Sequence, residues 1–150
     1  MTLSERAYER LPVPAPVVRT APPKDKRMLV RMPTWFWLGE AQHGSRSATA
    51  RAGDNWATVT ASARTVVVDP GDDPVTCAAP GVSYAKDADE DAACTHAYEE
   101  SGTYTVRVTV RWGASWVGSD GDGGSLPAVG RSASFRVTVV ESRSELVAGS

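Results

Sequence analysis

Apolar and polar positions alternate without a break from Thr103 to Trp112: Tyr104, Val106, Val108, Val110 and Trp112 fall on one side, Thr105, Arg107, Thr109 and Arg111 on the other. A period of two residues is what a strand with one buried and one wet face requires, so this segment is predicted as a strand. Trp56 to Ala63 repeats the pattern, with Ala57, Val59, Ala61 and Ala63 opposed to Thr58, Thr60 and Ser62. Thr65-Val66-Val67-Val68 follows as a second short strand and stops at the turn-forming run Asp69-Pro70-Gly71-Asp72-Asp73. Ser134 to Val140 places Phe135, Val137 and Val139 on one face, after a stretch from Gly113 to Arg131 whose glycines read as a loop. Pro33-Thr34-Trp35-Phe36-Trp37-Leu38 is too short for a helix and reads as a first strand, or a plug laid against the edge of the sheets.

Ahead of these strands the period changes. Thr2 and Glu5 have capping-box spacing, and Leu3, Ala7, Tyr8 and Leu11 share one helical face, which predicts a short helix over Thr2 to Leu11 that needs a docking surface. Pro12 ends it, and Pro14, Pro16, Pro22 and Pro23 make the stretch to Arg27 an extended arm. No helical pattern occurs after residue 28, so the expected fold is all-β, a two-sheet sandwich. The expected organisation is a helix and Pro-rich arm over 1–32, a sandwich domain over 33–141 and a polar tail over 142–150.

Composition supports this outline. With 150 residues and 41% hydrophobic content, the chain has material for one core. Thirteen arginines against three lysines, with no isoleucine, point to a GC-rich genome. The net charge of -2 argues against a nucleic-acid partner, which a basic excess would serve. That charge is unevenly spread. Residues 1 to 31 carry seven basic and three acidic groups, whereas residues 69 to 100 carry nine acidic groups against Lys86. No apolar run approaches the roughly 18 residues of a membrane span, and Met1 to Arg6 is charged where a signal peptide is apolar.

The two cysteines, Cys77 and Cys94, are 17 positions apart around an acidic stretch. A disulfide that pins this stretch to the sheets is expected, with about 3 kcal/mol of stabilisation in the loop-entropy model. A pair of buried free thiols is the alternative. Zinc is disfavoured because Cys94 and His96 supply two ligands at an unusual spacing, far from Cys77 and His43. A bridge implies maturation in an oxidising compartment, hence an extracellular or cell-surface location, with any signal peptide or membrane anchor in a segment outside this chain.

The run from Cys94 to Val106, containing His96-Ala97-Tyr98 and then Gly102-Thr103-Tyr104-Thr105-Val106, resembles the signature of PKD domains, in which a His-x-Tyr pair precedes a turn and Gly-x-Tyr-x-Val opens a long strand. Val68-Asp69-Pro70-Gly71-Asp72-Asp73 is similar to the family's Trp-Asp-x-Gly-Asp-Gly turn, keeping Asp69, Gly71 and Asp72. The resemblance covers about residues 45 to 141 and implies an immunoglobulin-like sandwich. Val68 stands where the family has a core tryptophan, and Trp112 and Trp116 are expected to fill that volume. The N-terminal prolines, the Trp35 cluster and the paired cysteines are similar to secreted or membrane-anchored actinobacterial proteins that carry a PKD-like domain.

Candidates for chemistry are few. No nucleophile elbow, phosphate loop or dinucleotide fingerprint occurs, and the chain is expected not to be an enzyme and to hold no cofactor. His43 lies in a polar turn, and the resemblance makes His96 structural. Asp87, Asp89 and Asp91 alternate as calcium ligands do, but Ala92 and Tyr98 occupy the positions where an EF-hand needs Gly and Glu, so a solvated acidic loop is preferred. Asp120 and Asp122, and Asp69 with Asp72 and Asp73, are read the same way, the latter as caps of their own turn. Trp35 and Trp37 share one strand face, which either covers the core or forms a contact surface. The resemblance implies a non-catalytic extracellular spacer, or an interaction module for protein or carbohydrate at the cell surface. A calcium-stabilised adhesion module and an accessory domain of a secreted hydrolase are the alternatives.

Overall fold

The computed structural model describes residues 2–141, so the tail expected over 142–150 lies outside the described residues. Strand is 56% of the structure, and the fold is all-β with a short N-terminal helix. In chain order the elements are helix α1 (Leu3–Glu9) and strands β1 (Val18–Ala21), β2 (Arg27–Leu29), β3 (Pro33–Leu38), β4 (Ser45–Ala52), β5 (Asn55–Asp69), β6 (Val75–Ala78), β7 (Cys94–Ala97), β8 (Gly102–Gly118) and β9 (Gly123–Val140).

These strands form two sheets. The larger has the order β2-β9-β8-β5-β4, with β6 also paired to β5; the smaller has the order β1-β3-β7. All pairings are antiparallel except β2 with β9. Phe36, Leu38 and Cys94 of the small sheet share one hydrophobic cluster with Val59, Val68, Val108 and Val137 of the large one. Burying each such valine or leucine contributes about 1.5–3 kcal/mol. Trp112 is fully buried in that cluster and Trp116 packs on it, so both indoles join the core to which Val68 belongs. The Arg46 guanidinium covers Trp112, 5.7 Å from the ring centroid.

The helix forms as its spacing predicts. Thr2 Oγ1 accepts from the Glu5 amide at 3.1 Å and donates to Glu5 Oε1 at 3.0 Å, which caps a seven-residue helix too short to persist in water. It docks through buried Ala7, against β4 and β5, and Tyr8 donates to the Pro127 carbonyl at 2.6 Å.

Several boundaries differ from expectation. The loop expected from Gly113 to Arg131 is instead the far end of the β8–β9 hairpin, which turns only at residues 119–122. There Gly121 takes φ +91° and Asp120 Oδ1 accepts from the Asp122 amide. The strands expected at Trp56–Ala63 and Thr65–Val68 are one strand, β5, with a register shift at Arg64. The expected arm is extended, and inside it β1 pairs with β3 and β2 pairs with β9, across the division drawn at residue 32. Rather than lying at a sheet edge, β3 is the middle strand of the small sheet.

Candidate functional site

The residues carrying the family resemblance come from two distant segments and meet at one point. Asp69 Oδ1 accepts from the Gly71 amide at 3.1 Å, capping the turn that ends β5. Gly71 has φ +87°, and a Cβ there would lie 3.1 Å from the Tyr104 ring and 3.2 Å from the Thr105 carbonyl, so glycine answers both the backbone and the space. Onto this turn Tyr98 donates from its hydroxyl to the Pro70 carbonyl at 2.9 Å. His96 stands edge-on to Tyr98, and Tyr98 lies against Tyr104, with ring centroids 4.7 and 4.4 Å apart. Gly102 opens β8 at φ +150°, and Tyr104 donates to the Glu100 carbonyl at 2.8 Å.

His96 Nε2 lies 3.3 Å from Asp72 Oδ2, but out of line for a hydrogen bond. Burial pushes the Tyr98 phenol well above its ordinary value, with Tyr104, Asp72 and Asp69 adding to the effect, so it remains a neutral donor. The cluster therefore fastens the end of β5 to the segment following β7.

A few residues away the disulfide does the same for the sheets. Cys77 on β6, paired to β5, bridges to Cys94 on β7, paired to β3, so the covalent link joins the large sheet to the small one. The bond agrees with an oxidising, extracellular environment.

The bridged segment passes over the outer face of the small sheet. Leu38 donates its amide to the Pro80 carbonyl at 2.8 Å, and a Cβ on Gly81 would meet the Trp37 backbone at 3.1 Å. Further along, Tyr84 meets Trp35 edge to face at 5.1 Å. A cleft of about 650 Å3 opens beside this pair, lined by Pro22, Pro23, Leu29 and Met32 as well, with Lys86 and Glu90 among its polar groups. Met32 is 56% exposed and Tyr84 54%, whereas Trp35 is 6% exposed and forms a wall of the cleft.

Trp35 and Trp37 share a face, as alternation requires, but Phe36 and Leu38 take the core side. The cleft includes Trp35 and not Trp37, which is half-buried. Tyr84, Met32 and the Pro22-Pro23 pair line the cleft without having been singled out by the pattern of the sequence, since each lies in a non-periodic segment.

The acidic candidates do not converge. Asp89 Oδ1 accepts from the Asp91 amide at 2.9 Å and caps a short 3-10 turn, Glu90–Ala92. Among the described residues no three His, Cys, Asp or Glu side chains are placed to share a cation, and Asp87, Asp89 and Asp91 are each exposed. His43 Nε2 lies 3.1 Å from the Leu38 carbonyl, a local tie. Among the described residues no helix is long and apolar enough to cross a membrane. Comparison of the chain with protein-family models, with curated proteins and with solved structures finds no match in any of the three.

Proposed function

We propose that the chain is a non-catalytic interaction module of an exported protein, an immunoglobulin-like sandwich of PKD type that contacts protein or carbohydrate through the Trp35–Tyr84 cleft. The observation that carries this reading is the exposure of Tyr84 and Met32 at the mouth of an aromatic-walled cleft, an apolar contact area bordered by Lys86 and Glu90. The export and the sandwich type draw support from the disulfide between two sheets that share one core, and from the meeting of Asp69, Gly71, Asp72, His96, Tyr98, Gly102 and Tyr104.

The test is titration of the purified chain with a neutral oligosaccharide, chitohexaose, and with a proline-rich decapeptide, read by amide chemical shifts. One probe should move resonances of residues 20–35 and 84–90, and Tyr84→Ala should weaken that response at least tenfold. An exposed position carries little stability, so the variant should keep its unfolding free energy within about 0.5 kcal/mol. Shifts absent from these residues with both probes, or equal binding by Tyr84→Ala, would overturn the proposal.

A further inference from the structure

The outer face of the large sheet carries a second cleft, on the other sheet from the first and independent of it. The register shift between Ala63 and Thr65 leaves Arg64 as an extra residue in β5. Its side chain lies across Gly113 of β8, with Cγ and Nε 3.0 Å from where a Cβ on that glycine would stand. On the same face Thr60 pairs with Ser115 and Ser115 with Ser125, a row of hydroxyls across three strands, while Ser62 pairs with Gly113 itself. Arg64 and these four hydroxyl residues line a hollow of about 400 Å3.

What sets this place apart on the sheet is the bulged Arg64 with its side chain laid across Gly113. On the same face Thr49 bonds Thr58 and Thr109 bonds Ser132, both at 2.8 Å. Among the described residues, Thr60, Ser62, Ser115 and Ser125 make no such side-chain bond. The ion pairs among the described residues are Arg31 with Glu99 and His96 with Asp72, so neither Arg64 nor Arg111, two positions before Gly113, is neutralised by a carboxylate. A cationic fork thus shares one hollow with four groups that each donate and accept.

We infer that this hollow binds an acidic sugar unit, with Arg64 on its anionic group and the hydroxyls of Thr60, Ser62, Ser115 and Ser125 on its ring hydroxyls. A guanidinium matches a carboxylate or sulfate with two parallel hydrogen bonds, whereas hydroxyls that donate and accept suit a polyol. The volume lies in the range of small-ligand sites. No aromatic ring lines it, so recognition is polar, unlike that of the Trp35 cleft. The reading deepens the carbohydrate side of the proposed function but does not depend on the Trp35 cleft.

The experiment is calorimetric titration of the intact, oxidised chain with trigalacturonate, its methyl ester, a sulfated chondroitin disaccharide, inorganic sulfate and pentaglutamate. Binding of trigalacturonate or of the sulfated disaccharide is expected, and which of the two is tighter names the anion. The methyl ester should bind at least tenfold more weakly than trigalacturonate if the carboxylate is the group held. Arg64→Ala and Gly113→Val, the latter placing a side chain where Arg64 lies, should each weaken the favoured sugar at least tenfold, and Arg64→Lys less. Tyr84→Ala should leave it unchanged, which separates failure here from failure of the cleft. Absence of binding by both acidic sugars, equal binding of inorganic sulfate or pentaglutamate, or no effect of Arg64→Ala would overturn the inference. Arg64 is exposed, so its variants test binding without the fold at stake.

Discussion

The two sheets are built by different means. Strands β5, β8 and β9 of the large sheet run for 15, 17 and 18 residues, and β8 joins β9 through a tight turn. Each is paired along most of its length by a strand near it in sequence. The small sheet is made of segments of 4, 6 and 4 residues, and β4, β5 and β6 intervene between two of its members. Such short strands cannot stand alone in water. Long hairpins make the large sheet its own template, whereas the small sheet depends on what ties it down: the Cys77–Cys94 bridge, the Tyr98 hydroxyl and the core it shares.

The largest expected effect lies on the large sheet. Trp112 is fully buried, with 0% of its surface exposed, so Trp112→Ala should lose about 3–5 kcal/mol through lost contacts and a residual cavity. Urea unfolding measures it. A loss below about 1 kcal/mol would mean that the core does not rest on this strand, and the contrast between the sheets would fail.

Next in size is the link itself. Replacing both cysteines, Cys77→Ser with Cys94→Ser, should cost about 3 kcal/mol by the chain-entropy estimate. The distribution of the loss is more informative than its sum. Amide exchange in β1, β3 and β7 should accelerate more than in β8 and β9, because the small sheet can open while the hairpin persists. Uniform acceleration would show that the two sheets unfold as one unit.

The same contrast explains what could be read from the chain. Alternation from Tyr104 to Trp112 is a local signal, and β8 contains it whole. Its continuation to Gly118 was illegible, because Gly113 and the glycines of Gly123-Gly124 have no β propensity, and pairing with the opposite strand decides their conformation. Strand β4 was missed for a similar reason: Ser45, Ser47 and Thr49 alternate with Arg46, Ala48 and Ala50, a contrast too weak to mark a face. In the small sheet the alternation of Trp35 and Trp37 correctly placed them together, but which side meets the core depends on Cys94 and Val18, paired with Phe36 and Leu38 from far along the chain. The Arg64 hollow is legible only in space, since its hydroxyls come from three strands.

The smallest effect tests the junction. Tyr98 follows β7 and bonds to Pro70 beyond β5, so Tyr98→Phe removes one donor and leaves a carbonyl to be satisfied, for an expected loss of about 1–2 kcal/mol at pH 7. Its pH dependence identifies the cause. Burial raises the phenol above the ordinary 10.0, so in the unfolded chain it gives up its proton first. The Tyr98 contribution is therefore complete below about pH 10 and shrinks as pH rises further. Denaturant melts at pH 7 and pH 11 should bring wild type and Tyr98→Phe closer together at the higher pH. A gap that stays constant would mean that Tyr98 is held by shape alone, and the tie between the sheets would then rest on the disulfide and the core.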